Sequence, residues 1–315
     1  MAVQFAIYTC PPIPAAVPSP DPSSEDSGLW SPLSCTLIYT PTTALLVDCP
    51  ATVAATNALA EWIKSTLPPA CTLKHFIASH AHGDHFLGFP VLQHLFPGIA
   101  AAATPAVVRG IALQYAPATY DRLWKPAFPP GAPAGAGLPE VDTEQAAALF
   151  APLPPPSPDG GSGSVIELDD GQGAVVQVLV QDVPHGDTHA NSFVHVPALA
   201  LVVAGDIVYN RDCHQWLGEA ATQEKRDGWV EALARIRALG PRIVVPGHTF
   251  APASKPDEAV AMGMLEGTEE YIRGFEEEVG KAGSKEELFE KMRARYKRWN
   301  LYLLDGGCRA AMQAK

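Results

Sequence analysis

His80-Ala81-His82-Gly83-Asp84-His85 puts four potential metal ligands within six consecutive positions. The apolar run Leu73-Lys74-His75-Phe76-Ile77-Ala78-Ser79 precedes it and reads as a buried strand. Phe86-Leu87-Gly88-Phe89-Pro90-Val91-Leu92 follows and reads as a turn entering a helix. The cluster therefore occupies a loop at a strand end. Within a strand, residues i and i+2 share a face while their neighbours point away. A tight loop instead lets His80 and His82 converge on one ion while Asp84 and His85 turn toward a second. Gly83 is expected to supply the backbone freedom of that turn. Imidazole nitrogens with a carboxylate suit zinc, with iron and manganese also compatible. Three histidines and an aspartate at this spacing set the loop apart from a polar surface loop.

Working outward, Val3 to Cys10 reads as a strand, and Pro11 to Ser34, rich in Pro, Ser and Asp, as a surface loop. Cys35–Tyr39 and Ala44–Asp48 form a hairpin signal. Thr52 to Thr66 has apolar residues at helical spacing, with Thr52 as N-cap. Val91–Phe96 reads as a helix and Ala100–Thr104 as a short strand. Pro105 to Leu123 is helical in parts, broken at Pro117. From about 126 to 163 the composition turns to Pro, Ala and Gly, an inserted lid or wall segment with one helical piece over Thr143–Phe150; a disordered linker is the competing reading. Val165–Leu168, Val175–Val183 and Ser192–Ala204 resume the strand pattern. Thr222–Leu239 reads as an amphipathic helix and Arg242–Val245 as a buried strand. The segment 256–315 is charged and helical, with helices over Ala259–Gly280 and Lys285–Trp299. Two sheets with helices outside them, a four-layer αββα sandwich within a single domain spanning 1–315, fit this order.

The whole chain narrows the function. Its 315 residues, 47% of them hydrophobic, suffice for a large core. A net charge of −12 without a basic block argues against nucleic acid and anionic membranes as partners. The apolar run Val196–Ala204 is far shorter than the ~20 residues of a membrane span. Residues 1–8 read as an edge strand rather than a signal peptide. The six scattered cysteines form no C-x-x-C, which suits free thiols in a cytoplasmic, reducing compartment.

Further ligand candidates also close strands. His185 follows Val183-Pro184, Asp206 follows Leu201–Gly205, and His248 follows Ile243–Gly247. H-A-H-G-D-H resembles the H-x-H-x-D-H signature of the metallo-β-lactamase superfamily, and the supporting pieces (His185, Gly205-Asp206, Pro246-Gly247-His248) stand in that family's order. The resemblance covers roughly Cys35 to Thr249. It implies the αββα fold and a two-metal hydrolase. His80, His82 and His185 would hold the first ion, Asp84, His85 and His248 the second, with Asp206 between them. The family usually shows Gly-His-Thr where this chain has Pro184-His185-Gly186, so His189 competes with His185. His185 is preferred because it directly follows its strand. Cys213 is read as structural, and His75, His94 and His195 lack ligand spacing. His214 and Trp216 are candidate substrate contacts just beyond Asp206. Trp124 and Phe128 are read as core, with a pocket wall from the insertion as the alternative.

The expected cofactors are two divalent ions, zinc first, with iron or manganese as alternatives. Between them a water ionised near neutral pH would attack a carbonyl carbon, with Asp84 orienting it and moving its proton. No G-x-S-x-G or phosphate loop offers another route. The expected substrate is a small lactone, lactam, ester or thioester. A single-iron sulfur dioxygenase of the same fold and a non-catalytic metal-binding protein are the alternatives. Seven candidate ligands for two ions leave open positions, which favours catalysis over a closed structural site.

Overall fold

The computed structural model describes residues 3–131, 135–156 and 163–315. Two sheets stack between helices, as the sequence pattern predicts. The N-terminal sheet has six strands in the order Gln4–Cys10, Leu33–Tyr39, Thr43–Val47, Thr72–Ile77, Ala100–Ala103 and Phe150–Pro152. The C-terminal sheet has five, in the order Ile243–Pro246, Leu201–Gly205, Ser192–Val196, Val175–Asp182 and Ser164–Asp169.

The layering follows from the period of two along each strand. Leu37, Leu46 and Phe76 enter an outer core beneath the helices Val53–Thr66 and Pro105–Tyr115. Their neighbours Ile38, Leu45, Val47 and Ile77 point the other way, into a core between the sheets. There they meet Val178, Val194, Val203 and Val245. On the far side Val202, Ala204 and Val244 enter a third core under the helices Gln223–Ala238 and Glu258–Lys281. Strands buried on both faces read as continuous apolar runs rather than alternations. Each such Val, Leu or Ile contributes about 1.5–3 kcal/mol by burial.

Two parallel crossovers bring the ligand-bearing ends together. Thr43–Val47 pairs parallel with Thr72–Ile77, with the helix Val53–Thr66 between them in sequence. Thr52 caps that helix through a bond from the Ala55 amide. Leu201–Gly205 pairs parallel with Ile243–Pro246, with Gln223–Ala238 between them and Thr222 as its N-cap. Both pairs end at one rim, where the loops carrying Asp48, His80, Asp206 and His248 emerge.

Several elements differ from the sequence reading. Ser192–Ala204 is two strands: a 3-10 turn at Pro197–Leu199 and Ala200 in the left-handed region (φ 48°) reverse the chain between them. The helix within 143–150 stops at Ala147, and Phe150–Pro152 adds an edge strand beside Ala100–Ala103. The helix begun at Lys285 stops at Arg295, and a further helix, Leu301–Ala314, follows. Its buried Leu301, Leu304, Cys308 and Ala311 recur at helical spacing. The segment 11–34 is not wholly a surface loop, because Ile13–Pro14 pairs with Leu29–Trp30 and Trp30 is buried. Of the insertion at 126–163, residues 132–134 and 157–162 lie outside the described residues. No helix among the described residues is long and apolar enough to cross a membrane.

Candidate metal centre

The loop after Thr72–Ile77 tightens into a 3-10 turn at Gly83–His85, which aims Asp84 and His85 inward. Gly83 is required for space rather than for backbone freedom. A Cβ there would lie 2.5 Å from the Trp124 ring, and Gly83 is not among the residues with positive φ.

Two clusters of ligand atoms form. His80, His82 and Asp187 make the first, and Asp84, His85 and His248 the second. Asp206 reaches the second cluster: its Oδ1 lies 3.4 Å from His85 Nε2 and its Oδ2 3.1 Å from His248 Nε2. Asp84 Oδ2 lies 3.5 Å from His248 Nε2. His80 and His85 lie 4.1 Å apart between ring centroids, so the clusters adjoin.

The partners of each imidazole determine which nitrogen faces inward. His85 Nδ1 donates to Asp48 Oδ2 at 2.9 Å. His248 Nδ1 donates to the Pro32 carbonyl at 2.8 Å. His82 Nε2 donates to Glu219 Oε1 at 2.8 Å. The Ser79 hydroxyl donates to Asp48 Oδ2 at 2.7 Å, so its oxygen accepts from His80 Nδ1 at 2.9 Å. Carboxylates and carbonyls only accept, so all four rings carry a proton on the outer nitrogen. The inner nitrogens, His80 Nε2, His82 Nδ1, His85 Nε2 and His248 Nε2, face the clusters and are the ones that would give up any proton to take a metal. Outer partners of this kind are the usual support of metal-ligating histidines. A third group of nearby atoms, Asp48, His80 and His85, belongs to this outer layer, since its contacts are the hydrogen bonds just named.

Three buried atoms in the clusters lack any hydrogen bond: His80 Nε2, Asp187 Oδ2 and Asp206 Oδ1. Buried polar atoms are ordinarily paired, and convergent unpaired acceptors are what a cation would satisfy. The donor set of imidazole nitrogens and carboxylate oxygens therefore fits divalent metal. Charge coupling inside the cluster is correspondingly strong. Burial opposes charge on His85, but Asp206, Asp48 and Asp84 outweigh it and raise the ring to about 10. Burial likewise opposes charge on His82, yet Asp187 and Glu219 lift it well above the histidine range. Burial and the neighbouring His85 push His80 well below it. Burial raises Asp187 to about 6 against the pull of His82.

His185 requires correction. It joins neither cluster, and Asp187 occupies the position beside His80 and His82. The strand Val175–Asp182 ends early, and the chain turns through Gly186, whose amide bonds the Thr188 carbonyl at 2.9 Å. His185 then donates from Nδ1 to the Gly186 carbonyl and packs near Gly228 of the helix Gln223–Ala238. Asp187 faces inward, with its Oδ1 accepting from Asn191 Nδ2 at 2.7 Å. This loop is joined to the lead motif by Ala81 N to Ala190 O and Ser192 N to Ser79 O. The signal was present in the sequence: Gly186-Asp187-Thr188 keeps the Gly-x-Thr frame, with a carboxylate in place of the imidazole. His189 is 69% exposed, beside Glu219 at 4.0 Å.

Above the clusters opens a cavity of about 780 Å³ that reaches His82, Asp84, Asp187, Asp206 and His248. Trp216 lines it. His214 does not: its amide bonds the Trp299 carbonyl, which draws the ring into the core against the Tyr271 hydroxyl at 2.7 Å. The walls come from Val17–Pro20, from Gln114 to Trp124 and from the last helix, rather than from the described part of 126–163. Phe128 packs behind the site against Trp30, with ring centroids 5.2 Å apart. Sequence reasoning missed Asp48, Glu219, Tyr209 and Trp30. Trp30 Nε1 donates to Asp84 Oδ2 at 2.8 Å, and the Tyr209 hydroxyl to Asp206 Oδ2 at 2.7 Å.

A family model described as "Metallo-beta-lactamase superfamily" matches residues 28–248. Among solved structures the chain is similar to a metallo-beta-lactamase family protein from Thermus thermophilus. The TM-score is 0.60 at 17% identity, covering 98% of this chain and 92% of that one. It is also similar to a metallo-beta-lactamase from Pontibacter korlensis, with TM-score 0.50, 16% identity, and 86% and 94% covered. No curated protein matches.

Proposed function

This chain belongs to the metallo-beta-lactamase superfamily, and within it we propose that the protein hydrolyses a small lactone, lactam, ester or thioester at a pair of divalent ions. The observation that carries the proposal is the tautomer pattern: four rings with outward protons, and inner nitrogens converging with unpaired carboxylate oxygens. His80, His82 and Asp187 would hold one ion, Asp84, His85 and His248 the other, with Asp206 between them. Divalent metal bound here supplies Lewis-acid polarisation and a water that ionises near neutral pH.

The chain's own groups contribute the remainder. Asp84 sits at the cavity floor with Oδ2 held by the Trp30 indole. It would orient the attacking water and take its proton, a role worth about 10²–10⁴-fold in rate. Tyr209 fixes Asp206, and Glu219 fixes His82. Trp30, Trp124, Trp216 and Tyr302 give the cavity an aromatic lining that suits an apolar acyl group. A net charge of −12 disfavours a polyanionic substrate such as nucleic acid. The completeness of the second cluster favours hydrolysis over one-ion oxidation.

The test is a panel of esters, thioesters, lactones and lactams with the metal-loaded protein and with His82→Ala. The variant is expected to bind less metal and lose nearly all hydrolysis while its circular dichroism is unchanged. Full activity in His82→Ala would reject the site.

A further inference from the structure

We infer that Asp187 makes the first cluster a two-histidine, one-carboxylate centre that favours manganese(II) or iron(II), relative to zinc(II), more than a three-histidine centre would. The inference rests on the reading of this site as a metal centre and goes beyond it by specifying the ion. Asp187 is fully buried, and its Oδ2 has no hydrogen bond. That oxygen lies 2.7 Å from His82 Nδ1 and 3.7 Å from His80 Nε2, so all three atoms face one point. The carboxylate is built into the loop rather than left to rotate. Its other oxygen is held by Asn191, and Asn191 bridges to the backbone of His80.

Imidazole suits zinc, copper and iron, whereas carboxylate oxygen suits the harder manganese and magnesium, and two histidines with one carboxylate and open positions are the usual iron(II) arrangement. Asp187 also adds a full negative charge where an imidazole would add none. Together with Asp206 it places two carboxylates near the two rings. Zinc exceeds manganese in intrinsic affinity at most such sites, so the preference is read as a ratio between variants.

Metal-free protein is dialysed against equal concentrations of MnCl₂ and ZnCl₂, and bound metal is counted by mass spectrometry. Wild type should show a bound Mn:Zn ratio about tenfold or more above that of Asp187→His. Asp187→Ala should bind one ion fewer, and His185→Ala should match wild type. Asp187→Asn keeps the shape without the charge and should also lower the ratio, which covers failure of the larger changes to fold. Equal ratios in wild type and the Asp187 variants would overturn the inference. So would loss of an ion from His185→Ala with none from Asp187→Ala. Wild type that binds neither metal would overturn the metal-centre reading itself.

Discussion

His85 and His248 approach each other through Nε2 atoms only 3.3 Å apart. His85 directs its proton to Asp48, and His248 directs its own to the Pro32 carbonyl. With both rings neutral, two lone pairs at that distance repel unless a cation accepts both. Pro32 stands in the segment before the strand Leu33–Tyr39, and His248 follows the last strand of the other sheet, so the contact ties the two sheets together at the site. Metal should therefore stabilise the fold as well as activate it. Saturation at 100 times the dissociation constant corresponds to about 2.7 kcal/mol. Thermal unfolding with and without chelator should show the metal-loaded form melting higher; coincident curves would count against the pairing.

Asp48→Asn tests the outer layer. Asp48 takes bonds from His85 Nδ1, the Ser79 amide and the Ser79 hydroxyl, and through Ser79 it orients His80. An amide can turn an N–H toward His85 and spoil the tautomer. Metal affinity should fall about 10–100-fold. A titration in which Asp48→Asn binds metal as tightly as wild type would show that this layer does not position the rings.

His214 gives a pH signature separate from the metal site. Burial, with Arg298 nearby, pushes it down to about 3, against about 6.5 in an unfolded chain. Between those values the unfolded state binds the extra proton, so stability rises with pH there. The contribution is complete above about pH 6.5 and erodes below it, by roughly 2 kcal/mol at pH 5. Urea unfolding at pH 8 and pH 5 should show that loss in wild type and a smaller one in His214→Gln. Equal losses would contradict the assignment.

Gly306→Ala probes the cavity wall. A Cβ at Gly306 would lie 2.4 Å from the Trp216 ring, and one at Gly218 would lie 2.2 Å from the same ring. The indole must then move. KM for bulky substrates should change severalfold while bound metal stays constant. An unchanged KM across the ester and lactone panel would show that Trp216 does not shape the pocket.

Much of this was legible in the sequence because its signals are local. The apolar runs on both faces, the Thr52 cap and the lead motif each declare themselves within a few residues. What was not legible depends on where loops turn. His185 follows its strand in sequence, yet a tight turn at Gly186 delivers Asp187 instead. Glu219 and Trp30 reach the site from segments without ligand spacing. The last helix was hidden by Asn300, which enters it at a positive φ of 73° without a side-chain cap.

The most direct test is anomalous diffraction from crystals of the metal-loaded protein. Two peaks are expected, one bounded by His80 Nε2, His82 Nδ1 and Asp187 Oδ2, the other by Asp84, His85 and His248, with Asp206 between them. No peak, or a first ion held by His185 with Asp187 turned away, would contradict the account.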